Sequence, residues 1–303
     1  MKAAVFQEFG GPEVLKVEEV ETPRPGTGEI RVRVKAAGVQ AYDTAVRSGW
    51  NPPGMTISFP QTIGNDFAGV VDELGEGVTE FAVGDEVLGW ALLSCSAEYL
   101  VVSTEQVVAK PSGMPWEVAG AFSASAQTAH TALQALEIGA GDTLLVHAAA
   151  GGVGTIAVQL AQVLGATAIG TASERNHEYL RSLGATPVTY GEGLADRVRE
   201  LAPGGVTAAL DGIGGDALDV SVELVKDKNR IATLVDFGRV EELGVRAVFS
   251  QRAKERLAGL TALYAEGKLR VEVSKTFPLE QAADAHREME TGHVRGKIVI
   301  TVG

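Results

Sequence analysis

The residues from Asp142 to Ala166 have the types and spacing of an anion cradle. Thr143 to His147 form a short apolar run that reads as a strand ending in a turn. Ala148-Ala149-Ala150-Gly151-Gly152-Val153-Gly154 follows, a stretch almost free of side chains. Beyond it Val153, Ile156, Ala157, Leu160, Ala161 and Leu164 recur at helical spacing, and Gly165 can stop the helix. A strand, a bare turn and a helix let the backbone approach a pyrophosphate, which the N–H groups and partial positive charge of the helix N-terminus attract. Laid over G-x-G-x-x-G, the match is Ala149, Gly151 and Gly154, so an alanine replaces the first glycine. Ala149, Gly151, Gly152, Val153 and Gly154 are the candidate phosphate contacts. Taken alone, the motif also fits a tight strand-to-helix turn without a ligand.

The elements that must position this cradle alternate after Trp116. Strand candidates are Thr143–His147, Thr167–Thr171, Pro187–Thr189, Val206–Leu210, Arg230–Val235 and Val245–Phe249, with helices over Gly154–Leu164, Asn176–Leu183, Leu194–Leu201 and Ala217–Val225. That alternation predicts an α/β doubly wound parallel sheet. Before it, to about Val108, short β-type runs with dense Gly and Pro predict a barrel-like unit. After it, Arg252–Glu266 reads as a helix, Phe277–Met289 as another that begins after Pro278, and Lys297–Val302 as a last apolar strand.

The chain has 303 residues, 45% hydrophobic and 21% charged, which suits two globular domains. Its net charge of -13 argues against nucleic acid as a partner. No apolar run is long enough to span a bilayer, and Met1–Gly10 lacks the pattern of a secretion signal, so the expectation is a cytoplasmic protein without a membrane partner. Cys95 is the only cysteine, which fits a reducing compartment and excludes a multi-cysteine zinc site.

Several separated stretches share a wording. They are Gly38-Val39-Gln40-Ala41-Tyr42-Asp43-Thr44 with Arg47-Ser48-Gly49, Gly64-Asn65-Asp66-Phe67-Ala68-Gly69-Val70-Val71, Val83-Gly84-Asp85-Glu86-Val87, His147 to Gly154, Leu183-Gly184-Ala185 and Gly296-Lys297-Ile298-Val299. In that order they resemble the medium-chain dehydrogenase/reductase superfamily, and within it the zinc-free quinone oxidoreductases related to zeta-crystallin. The resemblance covers essentially the whole chain. It implies a GroES-like β-barrel catalytic domain made from residues 1–115 and 268–303, with a Rossmann dinucleotide-binding domain at 116–267.

At three positions where zinc-dependent relatives place Cys, His and Cys, this sequence has Gln40, Asn65 and Ala124. Two carboxamides and a methyl group are not zinc donors. The expected metal is therefore none, and the expected chemistry is hydride donation from a nicotinamide to an electron-poor acceptor, a quinone or an α,β-unsaturated carbonyl.

At the end of the second strand, where an acid would hold the adenine ribose of NAD, the sequence reads Ser173-Glu174-Arg175. A hydroxyl and a guanidinium suit a 2′-phosphate, so the expected cofactor is NADPH. Glu174 could serve NAD in a register shifted by one, and a second reading makes Ser173 a helix N-cap and Arg175 a solvated side chain. The resemblance adds Tyr190 beside the adenine ribose, where it also reads as a plain surface aromatic, Gln40 and Thr128 towards the nicotinamide, and the Asp236-Phe237-Gly238 backbone along its pocket; Lys297 reads as a phosphate contact or equally as a lysine that keeps the last strand soluble.

Tyr42, Asp43, Asn65 and His130 are the candidates on the substrate side. Asp43 also reads as a cap for a helix starting near Thr44. His130 could equally be a packing residue, and Ala45 stands where relatives often carry a tyrosine, so the proton is expected from water. His147 reads as a buried imidazole, and the Trp50–Pro60 loop borders the opening or merely connects. The function expected is a zinc-independent, NADPH-dependent quinone or enone oxidoreductase that forms a homodimer through the strand at Val245–Phe249. Its rivals are a stand-alone enoyl reductase for carrier- or CoA-linked substrates and an NADPH-binding structural or regulatory protein with little turnover.

Overall fold

The computed structural model describes residues 1–52 and 54–303. Pro53, inside the expected Trp50–Pro60 loop, lies outside the described residues. The chain forms two compact units, one of Met1–Ala124, Ala253–Ala265 and Val271–Gly303, the other of Ser125–Arg252 and Glu266–Arg270. These bounds differ from the expected breaks at 115/116 and 267/268. The Phe122 ring meets Tyr264 edge-on at 5.9 Å, and the Ala124 N–H donates to Asp66, so both residues stay with the first unit.

In chain order the strands are β1 (Lys2–Phe6), β2 (Lys16–Glu19), β3 (Glu29–Val39), β4 (Gln61–Thr62), β5 (Asp66–Leu74), β6 (Glu86–Trp90), β7 (Tyr99–Ser103) and β8 (Val107–Ala109). Then come β9 (Thr143–Val146), β10 (Thr167–Thr171), β11 (Thr186–Val188), β12 (Ala208–Asp211), β13 (Ile231–Thr233) and β14 (Arg246–Ala247), and finally β15 (Val273–Pro278) and β16 (Lys297–Thr301). The helices are α1 (Ala41–Arg47), α2 (Trp116–Gly120), α3 (Phe122–Ala135), α4 (Gly152–Val163), α5 (His177–Ser182), α6 (Leu194–Leu201), α7 (Asp216–Leu224), α8 (Val240–Leu243), α9 (Lys254–Ala265) and α10 (Ala282–Glu290).

In the first unit β15, β16, β3, β5, β6 and β8 form one sheet in that order, with β7 also on β3, while β2, β1 and β4 form a second. Alternate residues of β3 (Ile30, Val32, Val34) and of its partners β5 and β7 (Val71, Leu100, Val102) share one apolar core with Val87 of β6, Phe6 and Phe67, as a half-buried sheet requires. Gly38 and Gly120 let α2 lie directly on β3, since a methyl on Gly120 would stand 2.6 Å from the Ala36 backbone. The last strand β16 sits between β15 and β3, so the C-terminal segment is part of this sheet.

In the second unit six parallel strands run in the order β11-β10-β9-β12-β13-β14, the doubly wound arrangement with its switch point beside β9. Leu145, Ile169, Ala209 and Ile231 from four neighbouring strands share a core with Leu218 of α7 and Val198 of α6. Every expected strand is present, shorter at β13 and reduced to two residues at β14. The expected helix after Pro278 is present, entered through a single 3-10 turn at Leu279–Gln281 and α-helical from Ala282, while the residues before it, Val273–Pro278, form a strand that was not expected. Val273–Pro278 is mostly exposed and shows no apolar alternation, and its strand character comes from parallel pairing with β16.

Candidate active site

In the second unit the cradle follows β9 directly. Ala148 adopts φ +54°, a left-handed conformation, and its carbonyl accepts the Gly151 N–H at 2.9 Å. The Ala149 N–H donates to the Thr171 carbonyl at 3.1 Å, tying the turn to the end of β10. Gly154 is pressed against this turn, and a Cβ there would stand 2.4 Å from the Ala148 carbonyl oxygen. Ala149 replaces the first glycine of the fingerprint because the facing residue on β10 is Gly170. Helix α4 begins at Gly152, two residues earlier than expected, so Gly152, Val153 and Gly154 form its first turn, whose N–H groups have no acceptor inside the helix.

At the end of β10, Ser173 is extended and its hydroxyl makes no cap to the following 3-10 turn, Glu174–Asn176; it accepts from Asn176 Nδ2 at 3.4 Å. Glu174 and Arg175 are exposed. The loop after β11 is held by a residue the sequence reading missed: Arg197 of α6 donates to the carbonyls of Thr189 at 2.9 Å and Glu192 at 2.8 Å. Tyr190 projects from that loop, 54% exposed.

Below the cradle lies a buried polar chain. His147 Nε2 is 2.9 Å from Ser221 Oγ and its Nδ1 is 3.5 Å from Thr171 Oγ1. Burial lowers its pKa to about 4, against the opposing charge of Asp211. Asp211, fully buried, accepts from the N–H groups of Ile213 and Gly214 and from Thr233 Oγ1 at 2.7 Å. Thr233 Oγ1 in turn accepts from the N–H groups of Val235 and Asp236. The Asp236 carboxylate takes the Gly215 N–H at 3.1 Å, and Phe237 stacks on Phe249 at 4.6 Å. The Asp236-Phe237-Gly238 segment is thus anchored at its first residue and by its ring. Thr128 and His130 both lie on α3 and are half-buried, but two residues apart on a helix they do not share a face.

In the first unit Gln40 ends β3 and starts α1. Its N–H donates to Asp43 Oδ2 at 2.8 Å, and Asp43 Oδ1 accepts from Asn65 Nδ2 at 2.5 Å. Asp43 therefore caps the first turn of α1, which begins at Ala41 rather than near Thr44. Gln40 Nε2 donates to Asp66 Oδ1 at 2.8 Å, while Asp66 Oδ2 accepts the Ala124 N–H at 3.1 Å. Lys297, only 3% exposed, donates from Nζ to Gln40 Oε1 and towards the Val39 carbonyl at 3.4 Å. Tyr42 meets Trp50 edge-on at 5.4 Å. The structure thus links Asp43, Asn65 and Lys297 through Gln40 to Asp66, a residue the sequence reading quoted in a motif without giving it a role. An acid set in the apolar run Phe67–Val71 was its only signal.

Farther along α1, Arg47 is fully buried and pairs with Glu290 of α10, beside the buried imidazole of His286. Burial first and the Arg47 charge second lower the His286 pKa to about 3.

The donor set at the zinc positions does not fit a metal ion: Gln40 and Asn65 spend amide N–H groups on carboxylates, and Ala124 offers a methyl. The cradle does fit a dinucleotide, because the space a Cβ would fill at Gly154 is taken by backbone that closes the turn. Among the described residues no helix is long and apolar enough to cross a membrane.

Residues 26–138 match the alcohol dehydrogenase GroES-like domain, and residues 183–300 match the family described as zinc-binding dehydrogenase. The chain is 33% identical to the quinone oxidoreductase of Pseudomonas aeruginosa, over 99% of both chains. It is 34% identical to the 2-haloacrylate reductase of a Burkholderia species, over 98% of both. It also superposes on the Escherichia coli quinone oxidoreductase complexed with NADPH with a TM-score of 0.88, 28% identity and coverage of 99% and 100%. Full-length identity at this level, with both units matched, means that the chain belongs to the medium-chain dehydrogenase/reductase superfamily, in its quinone oxidoreductase family.

Proposed function

We propose that this protein is a zinc-independent, NADPH-dependent oxidoreductase that reduces quinones and α,β-unsaturated carbonyl compounds. The observation that carries the reading is the β9–α4 turn, where Gly154 lies against Ala148 and the first N–H groups of α4 stand ready for a pyrophosphate. Relatives that reduce quinones and haloacrylate along their full length support the substrate class. A relative solved with NADPH supports the cofactor.

In this reading Ala149, Gly151, Gly152, Val153 and Gly154 hold the pyrophosphate through backbone N–H groups. Ser173 and Arg175 take the 2′-phosphate, Tyr190 flanks the adenine ribose, and Thr128 with the Asp236-Phe237-Gly238 backbone serves the nicotinamide end. Bound NADPH supplies the hydride. Gln40, Tyr42 and Asn65 receive the acceptor, His130 shapes its surroundings, and water supplies the proton. Lys297 acts on Gln40, a partner that the expected phosphate contact did not include.

The single buried cysteine and acidic balance support a cytosolic protein. Phe249, 53% exposed beside the sheet-edge strand β14, supports a homodimer formed there; a monomer by light scattering rejects it. The test of activity is steady-state oxidation of NADPH and of NADH with benzoquinone, phenanthrenequinone and simple enones. Turnover with NADPH and at least one acceptor is expected. Absence of turnover with all of them, despite measurable NADPH binding, rejects the reading.

A further inference from the structure

Gln40 is a carboxamide, and a carboxamide can present either an acceptor or a donor to a ligand. The structure removes the choice. A lysine ammonium has donors only, so the Gln40 atom facing Lys297 Nζ is Oε1. A carboxylate has acceptors only, so the atom facing Asp66 Oδ1, at 2.8 Å, is Nε2. Asp66 is itself fixed: it is fully buried, it takes the Ala124 N–H, and a methyl on Gly38 would lie 2.5 Å from its Oδ1. A 180° flip of the Gln40 amide would set donor against donor at Lys297 and acceptor against acceptor at Asp66, both in buried surroundings, where such mismatches are most costly.

We infer that Asp66 and Lys297 are positioning residues that lock the polarity of the Gln40 carboxamide, so that its second Nε2 N–H is a preset donor to the carbonyl oxygen of the quinone or enone. This rests on the proposed reductase function. As hydride adds to the β-carbon of an enone, the alkene electron pair shifts to the Cα–C bond and the carbonyl pair to oxygen. The resulting enolate then takes one proton from water at Cα, and NADPH leaves as NADP+. The oxygen gains charge only as the hydride moves, so a donor aimed there stabilises the transition state more than the bound substrate.

The test is a polarity swap at constant charge. In Asp66→Asn, the new side chain cannot accept from both Ala124 and Gln40, so one buried contact is mismatched. In Asp66→Asn with Gln40→Glu, the carboxamide now on β5 accepts from Ala124 and donates to the carboxylate now at the start of α1, which also accepts from Lys297. Every hydrogen bond is restored with the direction of one reversed, but no N–H faces the ligand. The expected result is a lowered melting temperature in Asp66→Asn, recovery in the double variant, and a kcat at saturating NADPH about 100-fold below wild type in the double variant, the loss typical of one missing oxyanion donor. Recovery of kcat along with stability would overturn the inference, because the network would then be structural only. Failure of the double variant to recover stability would overturn it too, since the hydrogen-bond directions would be wrong. A wild-type protein that oxidises NADPH with no quinone or enone rejects the function itself, while the stability comparison still tests the network.

Discussion

Ala149, in the turn after β9, packs on Gly170 of β10, and a methyl group on Gly170 would stand 2.6 Å from the Ala149 methyl. The space between β9 and β10 holds one methyl group, and this protein places it on the turn. Gly170→Ala therefore overpacks the pair and is expected to cost about 1–3 kcal/mol. Moving the methyl, with Ala149→Gly and Gly170→Ala together, is expected to recover most of that loss. Urea unfolding of the three variants measures both numbers, and equal stability of the single and double variants would refute the relationship.

Ala148 holds a left-handed backbone, which costs a side-chain-bearing residue about 1–2 kcal/mol. Ala148→Gly removes that cost at the expense of added freedom in the unfolded chain. A net gain of about 0.5–1 kcal/mol is expected, with the NADPH dissociation constant within about twofold of wild type. Thermal unfolding and cofactor titration check the two parts.

His147 and His286 are buried neutral, with pKa values lowered to about 4 and about 3 from an ordinary 6.5. Below pH 6.5 the unfolded chain takes up a proton at each site while the folded protein does not. Stability is therefore whole above about pH 6.5 and falls as the pH drops towards 4, by about 1.4 kcal/mol per pH unit for each histidine. His286→Gln is expected to reduce that slope by about one proton. Denaturant midpoints at about pH 7, 6 and 5 give the slope, and an unaltered slope in the variant would sink the assignment.

In the proposed reading Arg175 is the cation that takes the 2′-phosphate. Arg175→Ala is expected to raise KM for NADPH about tenfold, the loss of one charge-assisted contact, and to leave KM for NADH unchanged. Equal effects on the two cofactors would move the selectivity to another residue.

Arg47 is fully buried, and its partner Glu290 reaches it from α10. Glu290→Gln leaves the guanidinium without a counter-charge and is expected to destabilise the protein by roughly 3 kcal/mol. Measured against Glu290→Asp, which keeps the charge, the difference isolates the ion pair from the loss of packing.

The parallel sheet was legible because its strands are short apolar runs separated by helical periodicity, a pattern carried within about twenty-five residues. The cradle was legible for the same reason: its glycines are adjacent in sequence. β15 was not, because Val273–Pro278 has no apolar alternation and becomes a strand only through β16. The role of Asp66 was not legible either, since its partners Gln40 and Ala124 lie 26 and 58 positions away and Lys297 joins through Gln40 from 257 positions on. A residue type can be read locally, whereas the polarity of a carboxamide depends on contacts that only the fold creates. Arg197 escaped notice because its acceptors are backbone carbonyls, which leave no mark in a sequence.

The strand that carries Lys297 is inserted between β15 and β3, next to the strand whose end leads into Gln40. β15 joins the sheet through β16, so both of these strands reach β3 by way of the strand that carries Lys297. The pairing of β16 with β3 carries the ammonium to the Gln40 oxygen, while Asp66 holds the amide nitrogen from β5. Pairing of the strand and orientation of the Gln40 amide are therefore one event, since the ladder that closes β16 onto β3 also delivers Lys297.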